Sequence, residues 1–450
     1  MTIKANLLRN LVLPIGDFVF GQEMITRLKF LENAQYWPLE KIQAKQAEDL
    51  RNLIQIAYAE VPFYQSMMDK AEVRPEEIND PADLSKLPIV TKDMLREGYP
   101  KLTTRYTGQK TYEASTSGST GKNFYVMEDA MTAGWYRASF MLSLEWAGWQ
   151  IGELHLQTGI TPDRSLDRRI KDWFLGCHYK SAYQLDDEHL DEILITIRKH
   201  NLRHLWGYPG SLYYLAKFAD TLGWDHPLSS VVSWGDSLYP HYRQLIESVF
   251  QTKVFDTYGC AEGFQIAAQC EYGNYHLHAL DTVVEILDAY EKPVKPGKIG
   301  NIVVTRLHPG PMPLIRYVVG DLGVPSKQRG CPCGRGLPMM EAIKGRDADV
   351  ITTPSGNRLI VHFFTGILEH FPEIDSFQVV QTEPDSILLR IQPKGEMTDS
   401  ILDKIKTSLA DKGTSDLQVN FQFVESIPMP PSGKHRFVIN QTHSNEDTHV

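Results

Sequence analysis

The chain is short of cysteine, has no surplus of basic residues and contains no long uninterrupted apolar run, and each shortage removes a class of function. Five cysteines in 450 residues cannot form the disulfide framework of a small secreted scaffold, so their grouping matters more than their number. Lysine and arginine total 46 against 56 aspartate and glutamate, a net charge of −10, which argues against a nucleic-acid partner and its need for a basic face. The most apolar stretch near the N-terminus, Leu7 to Phe20, is interrupted by Arg9, Asn10, Pro14 and Asp17 and lacks a small-residue cleavage site. It is too short and too broken to span a bilayer or to read as a secretory signal, so no membrane partner is expected and the expected location is the cytoplasm. What remains is a chain with 42% hydrophobic and 23% charged residues and a mean hydropathy of −0.30, long enough for two or more domains.

One run stands out, Ser115-Thr116-Ser117-Gly118-Ser119-Thr120-Gly121-Lys122. Hydroxyls, glycines and a lysine at this density can wrap backbone N–H groups around a polyphosphate, with the lysine as a point charge. It is not a Walker A loop, because Thr116 stands where the first glycine belongs and Asn123 follows the lysine. Taken alone, such a run is more often a plain turn. The segment 123–127 beyond it reads as a strand, which sets the run in a strand–loop–strand arrangement.

Around this loop the texture is mixed. Residues 38–60 carry Leu50, Leu53, Ile54, Ala57 and Tyr58 at helical spacing, with Pro62 as the stop. From 191 to 263 helical and strand-like segments alternate, as in an α/β domain. Helices are expected at 191–200, at 212–222 and up to Phe250, and strands at 202–205, at 231–233 and from Val254. Two strand-to-turn junctions, ending at Asp236 and at Tyr258-Gly259-Cys260-Ala261-Glu262, are candidates for the ligand end of a sheet. From Thr282 to Asp321 the pattern turns to β. Beyond Gly345-Arg346, strands at 376–382 and 386–392, a helix at 400–412 and a strand at 417–424 make a β-β-α-β module. The polar end of the chain is expected to lack order. The fold class expected is α/β, with a large domain over 1–345 and a small α+β lobe over 346–450.

The set 115–122, 258–262, Arg316 to Asp321, Gly345-Arg346 and Pro431-Ser432-Gly433-Lys434 resembles, in order, the motifs of the adenylate-forming enzymes. Val61-Pro62-Phe63-Tyr64, Gly207-Tyr208-Pro209-Gly210 and Cys331-Pro332-Cys333-Gly334-Arg335 make it most similar to the phenylacetate–CoA ligase and CapK-like branch. That resemblance implies a mobile C-terminal lobe and a two-step reaction. A carboxylate attacks the α-phosphate of ATP to give an acyl-adenylate and pyrophosphate, and a thiol, usually of coenzyme A, then displaces AMP.

By the same resemblance, 115–122 grips the β- and γ-phosphates and Glu262 holds Mg2+. Tyr258 and Gly259 line the adenine pocket, Asp321 accepts from the ribose hydroxyls, Arg346 contacts the ribose, and Lys434 reaches the α-phosphate and the attacking carboxylate. Asp236 stands where the family commonly has Glu. The usual hinge position holds Ala348, so either Asp347 or Asp349 takes that part. Each residue has a plainer alternative: Glu262 a surface carboxylate, Asp321 a turn cap, Lys434 part of a flexible tail, and Arg316 or Arg346 half of a structural ion pair. Trp135, Tyr136, Trp206, Tyr208 and Trp234 would suit an aryl or arylacetic acid, or belong to the core. The partners implied are a small carboxylic acid and coenzyme A, with an amine, sugar or carrier-protein thiol as alternative acceptor. An inactive nucleotide-binding interaction protein is a further alternative, and a homodimer is the expected assembly.

The cysteines speak independently. Cys331 and Cys333, with Cys270 and His276 upstream, supply three thiols and an imidazole for a structural Zn2+, His278 being the substitute histidine. The alternative is a set of unrelated reduced thiols. Cys177 and Cys260 are expected to be buried thiols without a catalytic part.

Overall fold

The computed structural model describes residues 6–441 apart from 118–122, 160–163, 183, 237, 239, 345–350, 356–357, 360, 369 and 428–436. Gly118, Ser119, Thr120, Gly121, Lys122, Arg346, Asp347, Asp349, Lys434 and the polar end of the chain therefore lie outside the described residues. The chain divides into two compact units. The first comprises Met1–Thr116, Phe124–Glu153 and Phe255–Gly345, and the second Ser117–Asn123, Leu154–Val254 and Arg346–Val450.

In the first unit the helix Leu39–Glu60 turns Ile42, Leu50, Leu53, Ile54 and Ala57 inward, as the spacing predicts. Pro62 ends it and also opens a second helix, Pro62–Lys70, because at a first helical position the missing N–H has no intrahelical partner to lose. These helices pack Leu50, Leu53, Ile54 and Tyr64 against Phe264, Ile266, Val304 and Tyr317 of the sheet. Truncating one of these leucines to alanine would cost about 2–5 kcal/mol, more than an exposed ion pair contributes, so the helices are held by their apolar face.

The strands of this unit run antiparallel in the spatial order Thr282–Leu287, Gly300–Arg306, Tyr317–Pro325, Met339–Lys344, Tyr275–Leu277, Phe264–Gln269 and Val254–Cys260. One irregularity bears on function. Between two pairings the strand Gly300–Arg306 moves from Asn301 to Val303, while its neighbour moves from Leu322 to Val318. The extra residues form a bulge with Gly320 at φ +93°, a conformation open to glycine, and the bulge carries Asp321.

The second unit contains four parallel strands, in the order Ser230–Ser233, His204–Gly207, His155–Gly159 and Cys177–Ser181. The first two are buried at every residue, the reading expected of strands covered on both faces. Helices Asp187–Lys199, Pro209–Thr221 and Pro240–Phe250 contribute Ile193, Leu215 and Ile246 to their shared core. The strand expected at 202–205 starts two residues later, because Asn201 at φ +48° and the bond from Leu202 N–H to Ile197 C=O still belong to the end of the preceding helix.

Residues 351–441 hold a four-stranded sheet ordered Gln418–Phe423, Ser386–Pro393, Ile374–Glu383 and Val438–Asn440, with an antiparallel central pair. Helix Asp399–Leu409 packs Ile405 and Leu409 on it, which bears out the β-β-α-β reading. The structure adds the strand Val438–Asn440 and the helix Val361–Leu368. The mixed α/β class is as expected.

Candidate functional site

The strand Val254–Cys260 starts with four buried residues and becomes partly exposed from Tyr258 onward, so its last side chains reach the rim of the sheet. The chain then reverses at Gly263, φ +82°. A Cβ there would lie 2.0 Å from Glu128 Oε1 and 2.6 Å from Arg306 Nη2, so glycine is required by both conformation and space. Arg306 Nη2 donates to Gly263 C=O at 2.9 Å and to Glu128 at 3.1 Å, and also to Glu262 C=O, which pins the turn.

Glu262 sits in this turn and is 2% exposed. Lys92 Nζ lies 2.7 Å from its Oε1, and Tyr317 Oη donates to the same oxygen at 2.8 Å. The Cys260 thiol donates to the carboxylate as well. Burial opposes ionisation of Glu262, but the Lys92 charge and these donors outweigh it and hold the carboxyl down at about 2. Cys260 responds the other way, its thiol pushed well up by burial and by the neighbouring Glu262 charge, which leaves it inert as a nucleophile. Cys177 and Cys260 are half-buried, short of the full burial expected.

Lys92 is the partner of Glu262 that sequence reasoning missed. Val90 N–H donates to Arg316 C=O at 2.8 Å and Val90 C=O accepts from Val318 N–H at 3.0 Å, which ties the 87–92 segment to the strand Tyr317–Pro325. Thr91 then caps the helix Lys92–Gly98 through Met94 N–H, and Lys92 leaves its first position towards Glu262. The signal available in the sequence was the cap, Thr91 ahead of a helical segment; the partner was not legible.

Tyr258 and Asp321 meet directly: Tyr258 Oη donates to Asp321 Oδ2 at 2.9 Å. Gly259 makes this close weave possible, since a Cβ on it would stand 2.3 Å from Phe264 O. Arg316 resolves to a structural ion pair. It is 1% exposed, with Nη2 3.0 Å and Nε 3.2 Å from the Glu285 carboxylate oxygens and Nη1 on Leu87 C=O.

In the second unit Asp236 follows the strand Ser230–Ser233 and is partly exposed. The Gly207–Gly210 turn is its neighbour: Trp234 N–H donates to Gly207 C=O at 3.2 Å, and the Tyr208 ring packs over Gly235, where a Cβ would meet it at 2.6 Å. Trp206 is buried and stacks on His155 at 3.7 Å, and Trp135 stacks on His308 at 3.6 Å, so these two rings are packed with protein partners. Ser115, Thr116 and Ser117 end the strand Thr111–Ser117, which pairs with Asn123–Asp129, so the segment from 123 is a strand as expected.

A separate cluster gathers the thiols. Cys270, His276, Cys331 and Cys333 place one donor atom each within 4.8 Å of one another. His278 stands apart from it, 2.9 Å from Ser143 Oγ through Nε2 and stacked on Trp146 at 5.2 Å.

Comparison with known proteins supports the resemblance. Residues 351–441 match the family model of the CapK C-terminal domain. The whole chain is similar to Protein CapK of Staphylococcus aureus, 23% identical over 96% of each chain. It is also similar to the phenylacetate–coenzyme A ligase of Thermus thermophilus, 25% identical over 70% of this chain and 72% of that one. Among solved structures, 2-hydroxyisobutyryl-CoA ligase in the postadenylation state, in complex with an acyl-AMP, superimposes with a TM-score of 0.60 at 19% identity over 92% of both chains. The fold is that of an adenylate-forming ligase.

Proposed function

We propose that this chain, related in sequence to CapK and the phenylacetate–CoA ligases and sharing the adenylate-forming fold, is an AMP-forming acid–thiol ligase. It activates a carboxylic acid with ATP and passes the acyl group to a thiol, coenzyme A being the first candidate. The observation that carries this reading is the Tyr258–Asp321 hydrogen bond. The resemblance assigns one of these residues to adenine and the other to ribose, two parts of one nucleoside. They lie 63 positions apart in the chain and touch in the fold.

The chemistry follows from the side chains. Asp321, on its bulge, presents acceptors suited to ribose hydroxyls. The Ser115–Lys122 loop supplies donors and a cation for the phosphates, and Lys434 supplies a cation at the α-phosphate, where negative charge builds as the carboxylate attacks. We assign residues 1–345 to nucleotide and acid binding and 346–450 to the lobe that carries Lys434. Glu262 is a hard oxygen donor kept ionised, as a Mg2+ ligand must be. Its Oε1 is shared with Lys92 and Tyr317, so Lys92 competes with a dication for that oxygen. Bound Mg2+ would neutralise phosphate charge during adenylation. The acid we favour is aryl or arylacetic.

Acid-dependent ATP–pyrophosphate exchange across a carboxylic-acid panel, with Lys434→Ala in parallel, tests the reading. Exchange with one acid class, lost in the variant, supports it. Exchange untouched by the substitution removes Lys434 from the mechanism. ATP binding without exchange for any acid favours the inactive homologue. A second acceptor class is kept in view because the relative spanning the whole chain is named CapK and not for a coenzyme A reaction. Acyl-adenylate formation without acyl-CoA, in a panel including amines, sugars and carrier-protein thiols, would select it.

A further inference from the structure

We propose that Cys270, His276, Cys331 and Cys333 bind one zinc ion as a closed structural site that fastens two turns of the first unit together. The proposal is independent of the ligase reading. A tetrahedral zinc with S ligands at about 2.3 Å and an N ligand at about 2.0 Å separates its donor atoms by roughly 3.5–3.8 Å. Cys270 Sγ and Cys331 Sγ are 3.6 Å apart, and Cys333 Sγ and His276 Nε2 are 3.3 Å apart. The sulfur pair is far beyond the roughly 2.05 Å of a disulfide. Four donors from three separate stretches of chain, all within 4.8 Å of one another, therefore converge on a space the size of one coordination tetrahedron.

The surroundings select the same ion. His276 is fully buried, and its Nδ1 lies 3.2 Å from Leu337 C=O. A carbonyl only accepts, so Nδ1 carries the proton and Nε2 offers its lone pair to the cluster, the usual arrangement behind a ligating imidazole. Asn274 Nδ2 donates to Cys331 Sγ at 3.2 Å, and the Arg335 guanidinium hydrogen-bonds Cys333. Three thiolates and Zn2+ sum to one negative charge, which Arg335 offsets. Three sulfurs and one imidazole exclude Mg2+ and Ca2+, which take oxygen. All four positions are filled by protein, so the site has no opening for substrate and is structural.

The ion would hold two tight turns. Residues 270–274 close through Cys270 N–H to Asn274 C=O at 3.0 Å with Gly273 at φ +77°, and residues 331–334 close through Gly334 N–H to Cys331 C=O at 3.1 Å with Gly334 at φ +78°. Between them runs the pairing of Met339 with His276, inside the sheet. Arg335, one residue past the second turn, bonds Glu271 Oε2 at 2.7 Å and Gln35 Oε1 at 2.8 Å. Fixing the turns thereby fixes Arg335 against Gln35, which caps the helix Met24–Ala34.

The test is metal analysis of the intact protein purified under reducing conditions. We expect about one zinc per chain, a fall of about tenfold or more in Cys333→Ser and in Cys270→Ser, and full retention in Cys177→Ser, whose thiol lies outside the cluster. Should the serine variants fail to fold, titrating the wild-type protein with a mercurial must release the zinc as the cluster thiols react. Cobalt in place of zinc must show the intense d–d bands of a tetrahedral thiolate site. Wild-type protein that holds no zinc as purified, and gives no tetrahedral spectrum when titrated with cobalt, overturns the proposal. Bound iron in place of zinc, or loss of metal from Cys177→Ser equal to that from Cys333→Ser, overturns it as well.

Discussion

Lys92 Nζ stands 2.7 Å from Glu262 Oε1, and both side chains are largely withdrawn from solvent. A carboxylate this deep is tolerated because the ammonium and the Tyr317 hydroxyl face it. Removing the cation alone strands it, and breaking a buried pair in that way costs about 3–5 kcal/mol. Lys92→Met is therefore expected to lower the unfolding free energy by about that amount, while Lys92→Met with Glu262→Gln recovers at least half of the loss. Urea titrations of the wild type and the variants decide it. A single variant that loses less than about 1 kcal/mol would show that the pair carries no structural weight.

Among the buried carboxyls, Glu262 and Asp281 pull the pH dependence of stability in opposite directions. Glu262 goes from an ordinary 4.5 to about 2, so the stability it contributes is present above pH 4.5 and is lost as the pH falls towards 2. Asp281 is raised from 3.8 to about 6 by burial, against the pull of Arg306 and Arg27. Its folded form prefers the proton, so it imposes no penalty below pH 3.8 and a full one above pH 6. Asp281→Asn should leave stability near pH 4 little changed and raise it at pH 7 by on the order of 3 kcal/mol. Equal effects at the two pH values in urea unfolding would refute the assignment.

Arg316 carries its fork into the core, onto Glu285 and Leu87 C=O. A lysine cannot reproduce two parallel bonds from a planar group. Both Arg316→Met and Arg316→Lys are expected to destabilise the protein, the former by about 3–5 kcal/mol because Glu285 is left unpaired. Thermal unfolding that places the lysine variant at the wild-type midpoint would contradict this.

Tyr258 Oη donates to Asp321 Oδ2 at 2.9 Å, and Asp321 is the residue we assign to ribose. Asp321→Asn should weaken ATP binding about tenfold or more, and Tyr258→Phe about three- to tenfold, the range expected from losing one such bond. Calorimetry with ATP reads both. If Tyr258→Phe weakened ATP more than Asp321→Asn, the tyrosine would be the main contact and not the positioning residue.

Local patterns were legible in the sequence wherever a physical period exists. The inward face of Leu39–Glu60, the stop at Pro62, the β-β-α-β module and the convergence of Cys270, Cys331 and Cys333 were read from residue types and spacing. The helix Val361–Leu368 escaped because its sequence, Val-His-Phe-Phe-Thr-Gly-Ile-Leu, is apolar with little periodicity, and Phe363, Phe364 and Ile367 are buried in the core.

The sequence by itself determined which chemistry the chain can carry: acidic, aromatic and hydroxyl groups in the order of an adenylate-forming enzyme, and a thiol set suited to zinc. The tertiary structure alone decided which of these groups meet. Lys92 has no mark that separates it from a surface lysine, because its partner is far away in the chain and a side-chain pair across a sheet has no sequence period. His276 and His278 differ by two positions, and what distinguishes them is that one nitrogen of His276 is held by Leu337 C=O and the other is turned to Cys333, while His278 is taken up by Ser143 and Trp146.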